Sequence, residues 1–367
     1  MERTIVLPAL VVLVVWLGQE CAVNGQESCR TPDRRDGICT PLRQCASIQE
    51  RYFESDRWLT QDEVDFLKEL QCKTKDVTVC CADGVTTTDR NLTSARGTLP
   101  DPKKFECGLD SLADRIVGGN DTAIDEFPWY ALLQYQTKKG TLEFKCGGSL
   151  INARYVLTAA HCLAHKKVAE GGTLVGVRLG EHNIATEQDC TFPETMEECA
   201  DPPQNFGIEQ QIVHPGYDKI YQYNDIALIR LDRDAEINNY VQPVCLPVEG
   251  FTPTAPNVKV TVVGFGHTGR QRHSGVKQKA KIPIFPRDEC EKKWEKVQLI
   301  EQQICAGGEF GVDSCSGDSG GPMMTQRLYW VQEGVISFGN KCALEGWPGI
   351  YTRVSSYIDW IKDNIRQ

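Results

Sequence analysis

Three short motifs carry side chains that together could perform nucleophilic catalysis. The stretch TAAHC holds His161, NDIALIRL holds Asp225, and DSCSGDSGGP holds Ser319. A serine hydroxyl becomes a good nucleophile when a base removes its proton, and histidine suits that role because its pKa lies near neutrality. A buried carboxylate on the other ring nitrogen would hold the imidazole in the required tautomer. The three residues therefore predict nucleophilic catalysis by serine.

Glycines surround the predicted nucleophile in the stretch SGDSGGP. They let backbone N–H groups converge on a developing oxyanion, and those of Gly317 and Ser319 are the candidates. Taken singly, each motif has a simpler interpretation, as a structural histidine, an aspartate that opens a strand, or a serine in a turn. The three contexts in this order favour the catalytic interpretation.

Bulk properties limit the setting of this chemistry. The chain has 367 residues, enough for one large domain and a smaller one, and its formal charge is -10. An acidic chain is not typical of general nucleic-acid or membrane-surface binders, which present a basic face. Its 17 cysteines are far more than a cytosolic enzyme would keep.

The N-terminus predicts export. Arg3 precedes an apolar run over residues 5–17, and small or polar residues follow, so residues 1–25 are interpreted as a secretory signal peptide. The alternative, a signal anchor, needs about 20 apolar residues. Cleavage after Gly25 would remove Cys21 and leave an even number of cysteines, which fits an oxidising compartment.

Residues 26–82 are predicted to form a small module stabilised by disulfides. A segment of this size cannot bury a core large enough to be stable alone, so bridges worth roughly 2–4 kcal/mol each must constrain it. A helix is indicated after Thr60, which forms a capping box with Glu63, and Val64, Leu67 and Leu70 keep one apolar face of it. A zinc module is the alternative, but no histidine precedes His161 and no C-x-x-C pair occurs here. Six cysteines allow 15 connectivities; they are Cys29, Cys39, Cys45, Cys72, Cys80 and Cys81.

The remaining chain divides into a linker and a β domain. Residues 83–115 begin with a stretch rich in Thr, Gly and Pro, which predicts an exposed linker, and Asn91 in N-L-T is a candidate glycosylation site. Residues 116–367 contain short β-prone runs separated by Gly, Pro and Asn, as in an all-β barrel or sandwich. The last 13 residues predict a C-terminal helix.

The motifs of this sequence resemble those of a known family. IVGG at 116, AAHC at 159, DIAL at 225, GDSGGP at 317 and PGIYTRV at 348 are similar to chymotrypsin-type serine proteases. With the six-cysteine module, the whole chain resembles the arthropod clip-domain serine proteases of the prophenoloxidase-activating, Spätzle-processing or Easter-like type. The resemblance implies a serine endopeptidase with an all-β, chymotrypsin-like double six-stranded β-barrel and a C-terminal helix, preceded by a small disulfide-rich clip domain.

The resemblance also implies a disulfide pairing that leaves no thiol over. The implied pairs are Cys29–Cys80, Cys39–Cys72, Cys45–Cys81, Cys107–Cys245, Cys146–Cys162, Cys190–Cys199, Cys290–Cys305 and Cys315–Cys342.

Substrate preference follows from the same resemblance. Asp313, six residues before the nucleophile, corresponds to the base of the primary pocket in trypsin-like members, where a buried carboxylate favours a cationic side chain. Gly339 and Gly349 match the glycines that keep the pocket open, which implies cleavage after Arg or Lys. Two residues depart from the pattern, namely Phe338, where trypsin has tryptophan, and Lys341 near the rim. The preference for Arg or Lys is expected to survive, but the resemblance does not define selectivity at the rim.

The segment GEHNIATEQDC suggests a calcium site. Hard oxygen ligands around one point suit Ca²⁺, and the family pattern points to Glu181, Asn183, Thr186 and Asp189, with the middle two using main-chain oxygens. A solvated acidic loop is the alternative. The resemblance implies no organic cofactor.

The stretch LADRIVGGN indicates how activity would be switched on. A cut between Arg115 and Ile116 creates an α-ammonium that can be buried only against a carboxylate, and the resemblance supplies Asp318. An ordinary interdomain turn would explain the glycines but not the Arg-Ile-Val sequence. Asn120, in N-D-T, is a second candidate glycosylation site.

These features predict a zymogen secreted into an extracellular, haemolymph-like fluid. Its expected partners are an upstream protease that cuts after Arg115, a serpin inhibitor, and a downstream substrate, namely prophenoloxidase, another protease zymogen or a cytokine precursor. Nucleic-acid binding and a membrane span are not expected. The rival classes are a clip protein that acts only by binding, although such proteins typically lack the serine, and a digestive trypsin, which the clip module speaks against.

Overall fold

The computed structural model describes most of both predicted domains. The predicted signal peptide, most of the predicted linker and the predicted cleavage site at Arg115 lie outside the described part. The described residues are 28–41, 44–48, 51–52, 63, 66–67, 69–72, 78–82, 98–104, 106–110, 121–164, 172–191, 198–248, 250–266, 274–309, 318–327, 329–339 and 344–366.

The N-terminal module is a small antiparallel sheet held by disulfides. Its strands, in the spatial order β1-β2-β3, are β1 (Ser28–Arg30), β2 (Asp36–Pro41) and β3 (Thr78–Cys81), with helix α1 at Ala46–Ile48. All six cysteines are bonded, as Cys29–Cys80, Cys39–Cys72 and Cys45–Cys81. These are the pairs that the resemblance implies, and bonded cysteines leave no thiolate ligands for zinc.

Apolar side chains support this sheet from the predicted helical segment. Glu63, Phe66, Leu67 and Glu69 are helical, and Leu67 and Leu70 are buried in a cluster with the cysteines. The predicted apolar face is therefore buried at Leu67 and Leu70. Val64 and the capping residue Thr60 lie outside the described part.

The first barrel of the large domain is a seven-stranded sheet in the order β10-β7-β4-β5-β6-β12-β11. A separate two-stranded hairpin consists of β8 (Cys190–Thr191) and β9 (Glu198–Cys199), and the Cys190–Cys199 disulfide joins its strands. The barrel strands are β4 (Tyr130–Gln136), β5 (Leu142–Asn152), β6 (Tyr155–Thr158), β7 (Thr173–Leu179), β10 (Gln204–Phe206), β11 (Ile208–Val213) and β12 (Ala227–Leu231).

This sheet closes on itself at Gly207. The two edge strands β10 and β11 are consecutive in the chain and are separated by this single glycine. β10 pairs with β7 and β11 pairs with β12, so one bent segment joins both edges. The expected six strands thus become seven because the closing strand breaks in two, and the fold class is confirmed.

The second barrel is a six-stranded sheet in the order β14-β13-β16-β17-β18-β15. The bridge between Ile284 and Ala306 brings its two edges together. Its strands are β13 (Lys259–Gly264), β14 (Gln278–Pro283), β15 (Gln303–Gly307), β16 (Pro322–Gln326), β17 (Trp330–Phe338) and β18 (Pro348–Arg353).

Short helices complete the domain. They are α2 (Ala160–Ala164), α3 (Arg287–Lys293) and α4 (Ile358–Asn364), with 3₁₀ turns at Pro102–Lys104 and Val354–Tyr357. The predicted C-terminal helix is therefore present, and Ile358, Ile361 and Ile365 pack into the core. Within the described ranges, no helix is long and apolar enough to cross a membrane.

The chain before the predicted cleavage site is bonded to the large domain. Cys107 forms a disulfide with Cys245. The Gly108 N–H donates to the Pro243 carbonyl oxygen over 2.8 Å, and the Gly108 carbonyl oxygen accepts from the Trp330 N–H over 2.9 Å. The pairs Cys146–Cys162 and Cys290–Cys305 are also present, whereas Cys315 and Cys342 lie outside the described residues.

Candidate active site

Strand pairing brings His161 and Asp225 together. Ala227 of β12 lies opposite Thr158 of β6 in an antiparallel pair. Asp225 precedes Ala227 by two residues and His161 follows Thr158 by three, so both leave the sheet at the same end. Helix α2 then turns His161 back toward the carboxylate.

The contact between the two side chains is direct. His161 Nδ1 lies 2.8 Å from Asp225 Oδ2, and the backbone N–H of His161 donates to Asp225 Oδ1 over 2.8 Å. Asp225 is 0% exposed. The carboxylate can therefore hold the imidazole with Nδ1 protonated and leave Nε2 to act as a base.

Two further side chains fix Asp225, and the sequence motifs did not reveal them. The hydroxyl of Ser337 donates to Asp225 Oδ2, and the hydroxyl of Thr352 donates to the Asp225 carbonyl oxygen over 2.8 Å. Ser337 and Thr352 lie on β17 and β18, more than 100 residues along the chain. For Ser337, the one signal in the sequence is that it directly precedes Phe338 and Gly339, which were assigned to the pocket.

The pKa values of the pair move in opposite directions. Burial opposes ionisation of Asp225, but the charge of His161 and the hydrogen bonds from His161 and Ser337 outweigh it and hold the pKa of Asp225 below its usual value. Burial also opposes protonation of His161, yet the Asp225 carboxylate raises the pKa of His161 above its usual value. The pair is thus arranged to stabilise an imidazolium.

Ser319 lies on a tight turn beside this pair. Its carbonyl oxygen accepts from the Gly147 N–H over 2.8 Å, and Gly147 follows Cys146, which is bonded to Cys162 next to His161. Gly320 has φ +81°, and a Cβ there would lie 2.2 Å from Thr158 Oγ1, so the turn requires glycine. Gly317, the other oxyanion candidate, lies outside the described residues.

Asp318 is buried behind this turn. Its Oδ1 accepts from the backbone N–H of Gly266 over 2.7 Å. A Cβ at Gly264 would approach Asp318 Oδ1 to 1.8 Å, and one at Gly266 would approach Oδ2 to 2.3 Å. Both glycines are therefore needed for the position of this carboxylate.

The two glycines expected in the pocket wall face each other. A Cβ at Gly339 would lie 4.0 Å from the Gly349 Cα. Next to them, the Phe338 ring packs edge-on against Trp294 with the ring centroids 5.5 Å apart. Asp313 and Lys341 lie in segments that are not described.

The acidic loop is compact, and the carboxylates of Glu181 and Asp189 are buried in it. Asp189 Oδ2 accepts from the N–H groups of His182 and Asn183 over 3.0 and 2.9 Å, and Asp189 Oδ1 accepts from the Thr186 hydroxyl. The Asn183 carbonyl oxygen accepts from the Thr186 N–H over 3.0 Å. The loop is therefore internally bonded, while residues 185–188 are exposed to solvent.

Glu181 has a carboxylate oxygen that could still bind a ligand. It is 4% exposed, its Oε2 contacts Arg178 Nη1 at 3.0 Å, and its Oε1 is buried without a hydrogen-bond partner among the described residues. Burial, and then the charge of Asp189, raise the pKa of Glu181, although Arg178 opposes this. An unpartnered buried carboxylate oxygen beside a second carboxylate fits a hard divalent cation.

Comparison with known proteins agrees with this geometry. A family model described as Trypsin matches residues 116–361, and one described as Regulatory CLIP domain of proteinases matches residues 29–81. The chain is 68% identical to CLIP domain-containing serine protease B10 of Anopheles gambiae, over 96% of this chain and 98% of that protein.

More distant relatives agree along nearly the full length. Phenoloxidase-activating factor 1 of Holotrichia diomphalia is 40% identical over 94% of this chain and 95% of its own. Among solved structures, the Drosophila Grass clip serine protease of the Toll pathway is 32% identical, with a TM-score of 0.63, over 92% of this chain and 96% of that one.

Proposed function

Because the chain belongs to the trypsin family of serine endopeptidases and carries a clip domain, we propose that it is a secreted zymogen that cuts proteins after Arg or Lys. A cut after Arg115 activates it. The observation that carries the proposal is the contact between His161 and the buried Asp225, beside the turn of Ser319.

In the proposed reaction, the Ser319 hydroxyl oxygen attacks the carbonyl carbon of the substrate while His161 Nε2 takes the hydroxyl proton. Asp225 holds Nδ1–H and stabilises the imidazolium. The imidazolium then gives its proton to the leaving amine as the peptide C–N bond breaks, which leaves the acyl group on Ser319. Water repeats these steps, releases the carboxylic acid and restores the serine.

The oxyanion of each tetrahedral intermediate is bound by the N–H groups of Gly317 and Ser319. The backbone bonds from Gly147 to Ser319 and from Gly320 to Ile336 support this role, because they fix the turn before the substrate arrives. Fixed donors need no rearrangement as charge develops.

Asp313 selects a cationic side chain at the base of the primary pocket. A guanidinium or ammonium that loses its hydration there is compensated by the carboxylate. The facing pair of Gly339 and Gly349 supports this assignment, since neither presents a side chain to a long substrate residue.

Activation couples the cut after Arg115 to Asp318. The new α-ammonium of Ile116 pairs with the Asp318 carboxylate and orders residues 313–319, which form the pocket and the oxyanion hole. The bond from Gly266 supports this role, because it holds the carboxylate next to the nucleophile in a buried position.

Calcium is assigned to the acidic loop. Glu181 and Asp189, with the main-chain oxygens of Asn183 and Thr186, would hold it. When bound, the ion supplies positive charge that neutralises two buried carboxylates. The unpartnered Glu181 Oε1 supports the assignment.

The setting that fits these features is an extracellular cascade of innate immunity, melanisation or Toll-type signalling. Relatives bear the names phenoloxidase-activating factor and Melanization protease 1. We assign an upstream protease that cuts after Arg115, a downstream substrate cut after Arg or Lys, and a serpin as partners in haemolymph-like fluid. Glycans are assigned to Asn91 and Asn120.

Covalent labelling tests the central claim. The purified zymogen is cut with trypsin, treated with diisopropyl fluorophosphate, and assayed on an arginyl chromogenic substrate. Labelling of the parent on Ser319, with none in Ser319→Ala, is expected. A folded and cut parent that takes no label would show that the protein acts by binding only.

A further inference from the structure

The C-terminal helix contacts the chain that leads to Asp225. Tyr357, which directly precedes α4, and Trp360 enclose the His214 ring, with ring centroids 5.2 and 5.0 Å away. His214 follows β11, and its backbone N–H donates to the Ile226 carbonyl oxygen over 3.1 Å. The helix and the residue before it therefore pack on His214 at the start of the loop 214–226, and His214 is bonded to Ile226 at its end. The proposed orienting carboxylate, Asp225, lies in this loop.

A hydrogen-bond chain runs from the helix into this loop. The Tyr357 hydroxyl donates to Asn224 Oδ1 over 2.8 Å, and Asn224 Nδ2 donates to the Gly216 carbonyl oxygen over 2.7 Å. The Gly216 N–H in turn donates to His214 Nδ1 over 3.1 Å. Because both ends of the Asn224 amide are bonded, its orientation is fixed.

Asn224 forms a sharp turn directly before Asp225. Its φ is +54°, in the left-handed region that asparagine adopts more readily than most other non-glycine residues. Its carbonyl oxygen accepts from the Ile226 N–H over 2.8 Å, which turns the chain around Asp225. The side-chain bonds of Asn224 therefore hold the residue from which the chain enters Asp225.

The protonation states suit these bonds. Burial, and then the nearby charge of Asp225, raise the pKa of the Tyr357 hydroxyl, so it stays a donor. Burial lowers the pKa of His214, which keeps Nδ1 available to accept from Gly216.

From this geometry we infer that Tyr357 is a positioning residue that acts through Asn224 on Asp225, and thereby on His161. It touches neither His161 nor Ser319 in the contacts described. The inference rests on the proposed roles of His161 and Asp225. A tilt of the carboxylate would weaken its 2.8 Å contact with His161 Nδ1, which slows proton transfer but leaves substrate binding unchanged.

The test compares Tyr357→Phe with the parent after trypsin activation. We expect kcat on the arginyl substrate to fall about tenfold, the effect of one positioning hydrogen bond, with KM unchanged. Tyr240→Phe is the matched control, because it removes a 3.2 Å bond to the Cys199 carbonyl oxygen, which involves neither Asn224 nor Asp225, and should leave both constants unchanged. An unchanged kcat in Tyr357→Phe, or a change confined to KM, overturns the inference.

A second variant tests the route through Asn224. Asn224→Gly removes the side chain but tolerates the positive φ, and it should lower kcat by a similar factor. The double variant Tyr357→Phe/Asn224→Gly should be no slower than Asn224→Gly alone. If the two losses of kcat multiply in the double variant, the proposed route is wrong. If Tyr357→Phe does not fold, Asn224→Gly alone tests the route.

The same variants separate this inference from the specificity proposal. Diisopropyl fluorophosphate requires no cationic pocket, so its labelling rate reports the reactivity of Ser319, with its base and oxyanion donors, and not the substrate specificity. Slow labelling of Tyr357→Phe supports the inference even if the parent fails to cleave arginyl substrates. A parent that takes no label would instead contradict the proposed catalytic roles.

Discussion

Gly266 donates its backbone N–H to the Asp318 carboxylate over 2.7 Å, and Gly264 lies so close that a Cβ there would come within 1.8 Å of the same oxygen. This packing leaves no room for a side chain at either glycine. The position of Asp318 therefore depends on residues that are 52 and 54 positions earlier in the chain.

The first prediction concerns Gly264→Ala. The added methyl group must displace Asp318, so the new terminus at Ile116 would lose its partner. We expect the variant to be cut normally at Arg115 but to react with diisopropyl fluorophosphate at least about 100-fold more slowly, since loss of a buried ionic partner costs about 3–5 kcal/mol. Labelling rates and a reducing gel measure the two steps separately.

Gly275→Ala is the matched control. A Cβ there would meet only Asn183 Oδ1 at 3.7 Å, an ordinary contact. If Gly264→Ala is labelled as fast as this control, the role of the Asp318 position in activation is wrong.

The second prediction is a pH dependence. The proposed base must be neutral, so activity should fall as the pH drops through the pKa of His161, which Asp225 holds above its usual value of about 6.5. In Asp225→Asn the carboxylate is gone while burial remains, so the acidic limb of kcat/KM should move to lower pH. The rate at the optimum should fall by about four orders of magnitude. Initial rates from pH 5 to 9 check both, and an acidic limb that stays in place would contradict the assignment of His161.

Local sequence was enough to propose the residues whose type would determine the chemistry. His161, Asp225 and Ser319 lie in motifs of four to ten residues, and the two glycines proposed for the pocket wall follow fixed offsets. The apolar spacing also predicted the buried face around Leu67. Such features depend on neighbours in the chain, which a sequence displays directly.

Long-range support was not predictable in the same way. Tyr357 and Asn224 are 133 residues apart, and Ser337 and Asp225 are 112 apart. Tyrosine and serine are common in strands and helix termini, so nothing local marks these two as partners. The break of the closing strand at Gly207 likewise follows from how the barrel closes.

The third prediction tests the calcium site. A ligand that binds only the folded protein stabilises it by about 2.7 kcal/mol at 100 times its dissociation constant, which should raise the melting temperature by roughly 5–10 °C. Glu181→Gln removes the charge on the unpartnered oxygen and should abolish this rise. Scanning calorimetry with and without calcium measures it. Glu187→Gln, which changes an exposed carboxylate in the same loop, should keep it; equal shifts in both variants would place calcium elsewhere.

The fourth prediction concerns the two chains made by the cut at Arg115. Cys107–Cys245 joins them, so a reducing gel should separate what a non-reducing gel shows as one band. The double variant Cys107→Ser/Cys245→Ser should separate without reductant in a denaturing gel, whereas Cys190→Ser/Cys199→Ser, which removes a bond within one chain, should not.

In native buffer, however, the cut Cys107→Ser/Cys245→Ser protein should still elute as one species. Gly108 keeps its backbone bonds to Pro243 and Trp330, and Tyr329 packs against both the clip cluster and the cluster around Cys245. Together with Leu109, which also contacts the clip cluster, these contacts bury apolar surface on both sides of the junction. Size-exclusion chromatography after cleavage measures the association. Separate elution of the clip-bearing chain would show that the disulfide alone holds it.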